Sequence, residues 1–308
     1  MTFTPTPRLR GVLAPVVTPF HSNLDVNTQA FIVHCRWLVH SGAGLAIFGT
    51  NSEANSLSVG ERLALTDALL EAGVPAASMM PGTGTCALPD TVLLTKHAVA
   101  VGAAGALMLP PFFYKSVSDD GLFAYYSEVI ERVGDARLSL YLYHIPALSG
   151  VPITLGLVER LLKRYPQTLA GVKDSSGDWA NTKAMIDEFA GAGLAIFPAS
   201  EALLSQALPI GAAGCISATA NVNPANIAAL CAHWRDAQAP ALQARATAIR
   251  TIFQAVPMIA AMKHAISHWR DDADWRTVRA PLSGLEPALA RRLIADLTAA
   301  GFDMPATQ

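Results

Sequence analysis

Residues 169–176 have the sequence Leu-Ala-Gly-Val-Lys-Asp-Ser-Ser, an apolar run that ends in a lysine and three polar residues. A short apolar run without alternation is typical of a strand covered on both faces, as in a parallel sheet flanked by helices. Lys173 ends this strand, where apolar walls disfavour the hydrated ammonium form. The neutral amine that results is a nucleophile able to form an imine with a carbonyl substrate. A stem that packs while the amine extends to water is the alternative.

Four other lysines occupy settings that favour ordinary solvated side chains, because they lie in helical patterns, near a helix end or in a polar loop. These are Lys96, Lys115, Lys163 and Lys183. Lys263 needs no special account either, so we expect no special role for any of the five.

Seven further apolar runs accompany residues 169–173, with a helical pattern between successive runs. Eight strand–helix units predict a (β/α)8 TIM barrel, and a doubly wound open sheet is the alternative. The absence of a strand-linked Gly-x-Gly-x-x-Gly lowers that alternative. The predicted strands are Gly11–Val17, Leu45–Gly49, Ala76–Pro81, Ala106–Leu109, Leu138–Tyr143, Leu169–Lys173, Leu194–Pro198 and Gly214–Ser217.

Apolar positions at helical spacing predict a helix over Asn27–His40. Ser58-Val59-Gly60-Glu61 is a capping box that opens another helix. Ser118 and Thr154 precede two further helices, and Pro224 lies at the start of another.

Beyond Asp236 the alternation stops, and three helical patterns follow, Leu242–Ala255, Met258–His268 and Glu286–Ala299. We therefore expect a catalytic barrel over residues 1–236 and a C-terminal helical appendage over residues 237–308. A chain of 308 residues fits one barrel of this type.

Composition excludes several classes of function. The net charge is −2 and the chain has no run of lysine or arginine, so we expect no nucleic-acid partner. Met1–Arg10 lacks the apolar core of a signal peptide, and no stretch predicts a membrane span, so a cytoplasmic location is expected. The hydrophobic content of 52% against 15% charged residues suggests a homo-oligomer.

The cysteines and histidines do not predict a metal site. The cysteines are scattered and are expected to be buried free thiols. His264 and His268 are four residues apart but lack the glutamate of the metalloprotease helix, and His144 is expected to be structural.

Polar clusters follow four of the predicted strands, where a barrel of this type carries its catalytic groups. The set suits a 2-oxo acid: Lys173 attacks the ketone, and the imine accepts the electrons of a neighbouring carbanion, so no added cofactor is expected. Tyr143 offers a phenol that relays protons. Hydroxyl and N–H groups at Gly49–Ser52 suit a carboxylate held without a metal. The clusters are Gly49–Glu53, Tyr143–Pro146, Lys173–Ser176 and Ser217–Asn221.

The chain resembles the dihydrodipicolinate synthase and N-acetylneuraminate lyase family of Schiff-base aldolases over roughly Leu9–Asn221. The family's Gly-Thr-Thr-Gly-Glu loop, which binds the pyruvate carboxylate, corresponds to Gly49-Thr50-Asn51-Ser52-Glu53. Its Tyr-Asn-x-Pro segment corresponds to Tyr143–Pro146, and its Gly-x-Lys to Gly171–Lys173. The resemblance implies that Lys173, Tyr143 and Thr50 are catalytic, and that the protein assembles as a dimer of dimers.

One departure concerns the second substrate. Leu148 stands where the synthase has an arginine that binds the carboxylate of the aldehyde, and leucine cannot bind a carboxylate. The segment Pro146–Gly150 is closer to the lyase branch. The lyase's hydroxyl-binding positions fall on Glu201, Ala202 and Ala218, so a long sugar tail would be held poorly.

Two departures concern the chemistry. Asn51 and Ser52 replace a hydroxyl and a glycine of the carboxylate loop. The relay tyrosine of a neighbouring subunit corresponds to Phe113, and Tyr114 takes its place if the loop shifts inward.

The sequence thus predicts a lyase that acts on pyruvate or a short hydroxy-2-oxo acid, by aldol cleavage or condensation. Ser175, Glu201, Ser217 and Leu148 are expected at the substrate, with Gly49, Thr50 and Asn51 at its carboxylate. Three alternatives remain open. Two are enzymes: a dehydratase of a 3-deoxy-2-oxo sugar acid, and a 4-hydroxy-tetrahydrodipicolinate synthase despite Leu148. The third is a non-catalytic sensor that binds pyruvate.

Overall fold

The computed structural model describes residues 8–305, which form two compact units. The first unit contains Pro75–Ala199 and Gln206–Cys215, and the second contains Gly11–Val74, Ser200–Ser205 and the chain from Ile216 onward. Most of the N-terminal stretch for which no signal peptide is expected, residues 1–7, lies outside the described residues.

Short strands alternate with helices along the described chain. The strands are β1 (Gly11–Ala14), β2 (Gly44–Leu45), β3 (Ala106–Met108), β4 (Leu140–His144), β5 (Leu169–Asp174), β6 (Ala195–Pro198) and β7 (Gly214–Ile216). The helices are α1 (Thr28–His40), α2 (Val59–Glu71), α3 (Leu88–Ala100), α4 (Asp119–Val133), α5 (Pro146–Ser149), α6 (Leu155–Arg164), α7 (Trp179–Phe189), α8 (Leu204–Ala207), α9 (Pro224–His233), α10 (Ala239–Gln254), α11 (Met258–Arg270) and α12 (Pro287–Ala299).

The first unit is built on a parallel sheet with the strand order β3-β4-β5-β6. Tyr143 is the register partner of Lys173, and Lys173 that of Phe197. Apolar side chains from the strands and from α4, α6 and α7 form one core in this unit. Each strand is therefore covered by helices, which accounts for the unbroken apolar runs in the sequence.

The predicted strand Ala76–Pro81 is wrong in its position. Ala76–Ser78 form a 3₁₀ turn, and the Ser78 hydroxyl donates to the Pro75 carbonyl at 2.7 Å. Extended pairing follows later, as a parallel bridge between Gly82 and Leu107. Pro81 has no N–H to contribute to a ladder, so the pairing stays irregular.

In the second unit, β1 and β2 pair in parallel, with Leu13 opposite Gly44. The strand β2 is shorter than predicted because Phe48 turns the chain with a φ of 61°. The chain that leaves β7 lies beside β1, since the Ser217 N–H donates to the Leu13 carbonyl at 3.2 Å. The C-terminal helices α10, α11 and α12 pack on one another in this unit.

The helix starts predicted at Ser58, Ser118 and Thr154 are confirmed. Each of these side chains accepts a hydrogen bond from a backbone N–H in the first turn of its helix, and Ser58 with Glu61 forms the capping box. Asn27 caps α1 in the same way. Pro224 is the first residue of α9. Within residues 8–305, no helix is both long and apolar enough to cross a membrane.

Candidate active site

Lys173 lies at the end of β5 and is only 2% exposed. Its Nζ lies 4.0 Å from the centroid of the Tyr143 ring, which is likewise buried and stands at the same level of the neighbouring strand β4. Because β4 and β5 are parallel and in register, both side chains emerge at the carboxyl ends of their strands. The structure thus brings together the amine and the phenol expected from the sequence.

Gly171 fixes the position of this strand. A Cβ atom built on Gly171 would lie 2.1 Å from the Ala195 carbonyl oxygen of β6 and 2.8 Å from the Tyr141 ring. No other residue fits without moving backbone. The close approach of β5 to β6 therefore requires glycine two residues before Lys173.

The residues after Lys173 are held by a local network. Asp174 accepts hydrogen bonds from the Ser176 N–H at 3.0 Å and from the hydroxyls of Ser176 and Thr182. The Ser175 N–H donates to the His144 carbonyl at 2.7 Å. Within the described residues the Ser175 hydroxyl is buried and has no hydrogen-bond partner. This hydroxyl, two residues from Lys173, is a donor still available to a ligand.

His144 is buried beneath this network. Its Nδ1 accepts the Ile153 N–H at 2.9 Å, and its Nε2 lies 3.9 Å from Asp174 Oδ1. Burial lowers the pKa of the imidazole, and the Asp174 carboxylate opposes that effect. The imidazole therefore lies between the Ile153 backbone N–H and the Asp174 carboxylate.

Leu148 and Tyr114 lie on the surface of the first unit, 66% and 70% exposed. Leu148 is in the short helix α5, and the Lys115 ammonium group donates to the Ser149 carbonyl at 2.6 Å. The Tyr114 ring contacts the equally exposed Phe113 ring edge-on, with 5.4 Å between centroids. Neither ring is packed into the core of its own chain.

In the second unit the predicted carboxylate loop is a 3₁₀ turn, Thr50–Ser52, preceded by Gly49. The Gly49 N–H donates to the Ser52 hydroxyl at 3.2 Å, and the Thr18 hydroxyl donates to the Ser52 carbonyl at 2.7 Å. Glu53, and not Ser52, has the left-handed backbone conformation, with a φ of 55°. Replacement of the family's glycine by Ser52 is therefore accommodated without strain.

Glu53 anchors the end of this loop. Its Oε1 accepts a hydrogen bond from the Lys263 ammonium group at 2.6 Å. Its Oε2 accepts one from the Arg279 backbone N–H at 3.1 Å. Neither the Glu53 nor the Lys263 side chain is exposed. Burial lowers the pKa of Lys263 to about 8 against the opposing effect of Glu53. The expectation that Lys263 needs no special account is wrong.

Glu201 and Ser217 also lie together in the second unit, in a buried network. The Glu201 carboxylate accepts hydrogen bonds from the hydroxyls of Ser217 and Thr219. The Arg250 guanidinium donates to Glu201 Oε2 at 2.9 Å and to the Ser217 hydroxyl at 2.8 Å. Both oxygens of Glu201 are thus already engaged by the protein's own donors.

A sequence model of the dihydrodipicolinate synthetase family matches residues 8–300. The match covers nearly all of the residues that the structure describes. The chain belongs to the dihydrodipicolinate synthetase family.

Relatives and solved structures of the family agree with this assignment. An uncharacterized DapA-like lyase of Chloroflexus aurantiacus is 34% identical over 89% of this chain and 91% of its own. The crystal structure of dihydrodipicolinate synthase from Agrobacterium tumefaciens is similar with a TM-score of 0.87, at 30% identity over 94% of this chain and 99% of that one. A prophage protein of the family from E. coli K12, solved with pyruvate, has a TM-score of 0.86 at 26% identity, over 95% and 99% of the two chains.

Membership of the dihydrodipicolinate synthetase family confirms the predicted fold class, a (β/α)8 TIM barrel followed by C-terminal helices, and makes the protein a lyase.

Two buried cations of this family member, Lys263 on α11 and Arg250 on α10, are not among the site residues predicted from the sequence. Each neutralises a buried glutamate that is distant in sequence. A sequence signal exists for Lys263, because apolar residues surround it on the helix from Ala260 to Ile266. Arg250 has no such signal, since polar residues alternate with apolar ones around it.

The expectation for the cysteines is corrected in part. Cys35 and Cys215 are buried and Cys231 is partly buried, but Cys86 is exposed. All four are free thiols. Among the described residues, no group of three or more histidine, cysteine, aspartate or glutamate side chains is placed to hold a metal ion.

Proposed function

We propose that this family member is a Schiff-base lyase that acts on pyruvate or a short hydroxy-2-oxo acid, by aldol cleavage or condensation. The contact between the buried Lys173 amine and the Tyr143 ring carries the proposal. An amine enclosed in this way is a nucleophile for a carbonyl carbon, and a phenol beside it is suited to proton transfer. The pyruvate complex of the E. coli relative supports a 2-oxo acid as the substrate class.

The reaction begins with attack of Lys173 Nζ on the C2 carbonyl of the substrate. The oxygen leaves as water, and the carbon–nitrogen double bond of the protonated imine withdraws electrons from C3. Loss of a proton from C3 gives an enamine, which attacks an aldehyde and forms the carbon–carbon bond. Hydrolysis then restores the ketone and the free amine, and cleavage runs through the same steps in reverse.

Protons are transferred by side chains. Tyr143 and Thr50 relay them to and from the aldehyde oxygen as it becomes an alcohol. The imine itself is the electron sink, so the proposed reaction uses no added cofactor.

The substrate carboxylate is assigned to Gly49, Thr50 and Asn51 from the family motif. The 3₁₀ turn presents backbone N–H groups and polar side chains, which hold an anion without a metal. The buried Ser175 hydroxyl is a further donor for the substrate. Ser217 acts through its bond to Glu201, which positions it.

Two side chains, Leu148 and Glu201, support the proposal that the substrate is short. The exposed aliphatic Leu148 offers nothing to a second carboxylate. Glu201 bonds Arg250, Ser217 and Thr219, so it has little acceptor capacity left for the hydroxyls of a long sugar tail. Assembly as a homo-oligomer, a dimer of dimers, and a cytoplasmic location remain predictions from the sequence.

A second candidate is 4-hydroxy-tetrahydrodipicolinate synthase activity. The Agrobacterium structure that this chain resembles at 30% identity is a dihydrodipicolinate synthase. That reaction starts from the same imine but requires recognition of a carboxylated aldehyde. Leu148 opposes it, so turnover of pyruvate with aspartate semialdehyde should be weak.

Borohydride reduction in the presence of pyruvate tests the proposal. Reduction should add one reduced pyruvate to the wild-type chain, at the peptide that contains Lys173, and add nothing to Lys173→Ala. Lys183→Ala is the matched control, since Lys183 is a half-exposed helix lysine that pairs with Asp187. Absence of the adduct in the wild type would overturn the Schiff-base chemistry.

Product analysis then identifies the reaction. Short hydroxy-2-oxo acids that release pyruvate and an aldehyde indicate the aldolase, whereas loss of water from a 3-deoxy-2-oxo sugar acid indicates a dehydratase. An adduct without turnover of any substrate would favour a pyruvate-binding sensor.

A further inference from the structure

A cavity of about 550 Å³ lies among the C-terminal helices of the second unit. Its walls come from α11, from the segment that precedes α12, and from the first two turns of α12. Four of its lining residues carry basic side chains, and other lining residues are apolar. The basic residues are His264, His268, Arg276 and Arg291, and the apolar ones include Ala260, Ala290 and Ile294.

Helix geometry directs the basic groups into the cavity. His264 and His268 are four residues apart on one face of α11, and Arg291 follows Ala290 on the start of α12. The Arg276 Nε donates to the Ser267 hydroxyl at 2.9 Å, which fixes the base of the guanidinium group. The rest of that fork is a planar donor suited to a carboxylate or phosphate.

The basic residues of this cavity have no carboxylate among the other lining residues. No carboxylate lines the cavity, and none forms an ion pair with His264, His268, Arg276 or Arg291 in the part of the chain that the structure describes. Arg292, the next residue on α12, differs because its guanidinium group lies 3.5 Å from Asp296. Burial lowers the pKa of His264, and the charges of Arg276 and His268 lower it further, as expected where cations converge.

We propose that this cavity binds a small organic anion, with its charged group at Arg276 and Arg291 and an apolar group against Ala260, Ala290 and Ile294. Clustered cations without carboxylate partners repel one another, and a bound anion relieves this repulsion. Apolar walls with a few converging polar groups are typical of small-molecule sites. The cavity is formed by residues of the second unit, whereas Lys173 and Tyr143 belong to the first unit.

The walls of the cavity also hold the loop that ends at Glu53. Lys263 precedes His264 on α11, and its ammonium group bonds Glu53 Oε1, while the Arg279 N–H, three residues beyond Arg276, bonds Glu53 Oε2. A second cavity of about 550 Å³ shares Ala260 and Gly284 with the first and reaches Asn51. An anion that fixes these walls therefore also restrains residues 49–53.

Calorimetric titration with benzoate tests the site, with benzamide as a neutral probe of similar shape. Benzoate should bind the wild type saturably, and binding should weaken at least about tenfold in Arg276→Gln/Arg291→Gln, because the variant loses both charged donors for the carboxylate. Benzamide should bind the wild type at least as weakly as benzoate binds that variant. Arg292→Gln should leave benzoate binding unchanged, because Arg292 does not line the cavity.

Any of three results would overturn the proposal: equal binding of the two probes, absence of saturable benzoate binding, or unchanged benzoate binding in the double variant. Circular dichroism and the melting temperature show whether that variant is folded, and His268→Gln provides a second, more conservative test, with weaker benzoate binding expected.

Hydrogen exchange locates the ligand without any use of enzyme activity. Benzoate should slow amide exchange in peptides that cover 258–270 and 285–294, and in the peptide that covers 49–53. Protection confined to other peptides would overturn the location. Protection of the cavity without any change at 49–53 would overturn the link to Glu53.

Discussion

Lys263 Nζ lies 2.6 Å from Glu53 Oε1, and neither side chain has any exposed surface. The pair joins helix α11 to the end of the Gly49–Glu53 loop. Two desolvated charges stabilise a fold only as long as both are present, since either one alone is a buried unpaired ion.

Lys263→Met should therefore destabilise the protein by about 3–5 kcal/mol. The measurement is the free energy of unfolding by denaturant, with Lys96→Met, an exposed lysine of α3, as the matched control. The double variant Glu53→Gln/Lys263→Met should recover part of the loss, because it removes both charges. A single variant no less stable than the control would show that the pair contributes nothing.

The same pair gives stability a dependence on pH. Burial lowers the pKa of Lys263 from 10.5 to about 8, so between these values the unfolded chain binds more protons than the folded one. The contribution of Lys263 to the free energy of unfolding therefore rises as pH increases from about 8 and is flat below that. The buried Cys35 acts in the opposite direction, because burial raises the pKa of its thiol.

The difference between wild type and Lys263→Met isolates this effect, because both proteins contain Cys35. Denaturant unfolding at pH 7, 8, 9 and 9.5 should show the stability difference constant at the lower two values and widening in favour of wild type above them. A difference that shrinks above pH 8 would contradict the direction of the Lys263 shift.

Gly171→Ala should displace β5, because the new Cβ would lie 2.1 Å from the Ala195 carbonyl oxygen. Overpacking of this kind costs about 1–3 kcal/mol. The labelling of Lys173 by pyruvate and borohydride should fall as well, measured under conditions where the variant is still folded. Gly191→Ala is the control, since no atom lies within 4 Å of a Cβ at that position. Equal labelling in both variants would show that the β5–β6 approach does not position Lys173.

Local signals were sufficient to predict much of the fold. Ser58 with Glu61, and Thr154 before α6, satisfy the first N–H groups of their helices, and such caps depend only on neighbouring residues. The apolar run that ends in Lys173 likewise combines a strand and its polar end in a few residues. The helix caps and the strand end can be predicted from sequence because each depends only on residues within one helical turn or one strand.

The features that were missed depend on distant partners. Lys263 and Glu53 are 210 residues apart, and Arg250 and Glu201 are 49 apart, so no local pattern reports their pairing. The strand predicted at Ala76–Pro81 was misplaced for a different reason. Its apolar composition fits a strand, but Pro75 begins a 3₁₀ turn, which composition alone does not indicate.

Tyr143→Phe should separate imine formation from proton transfer. The ring that contacts Lys173 is kept, so borohydride trapping with pyruvate should remain close to that of wild type. Turnover should fall by about 10²–10⁴-fold, the usual contribution of a general acid–base group. Tyr165→Phe is the control, since its hydroxyl bonds Glu131 on the surface. Unchanged turnover in Tyr143→Phe would remove the phenol from the mechanism.

Leu148→Arg should give the protein a site for a carboxylated aldehyde. Leu148 is 66% exposed on α5, so a longer side chain requires no repacking of the core. A guanidinium fork binds a carboxylate through two parallel hydrogen bonds, and hydrogen bonds to charged groups contribute about 1.5–3 kcal/mol. The ratio kcat/KM for aspartate semialdehyde with pyruvate should therefore rise by about tenfold or more, with no similar gain in Leu148→Met. Robust turnover by the wild type, or no gain in the arginine variant, would show that specificity for the second substrate is set elsewhere than at Leu148.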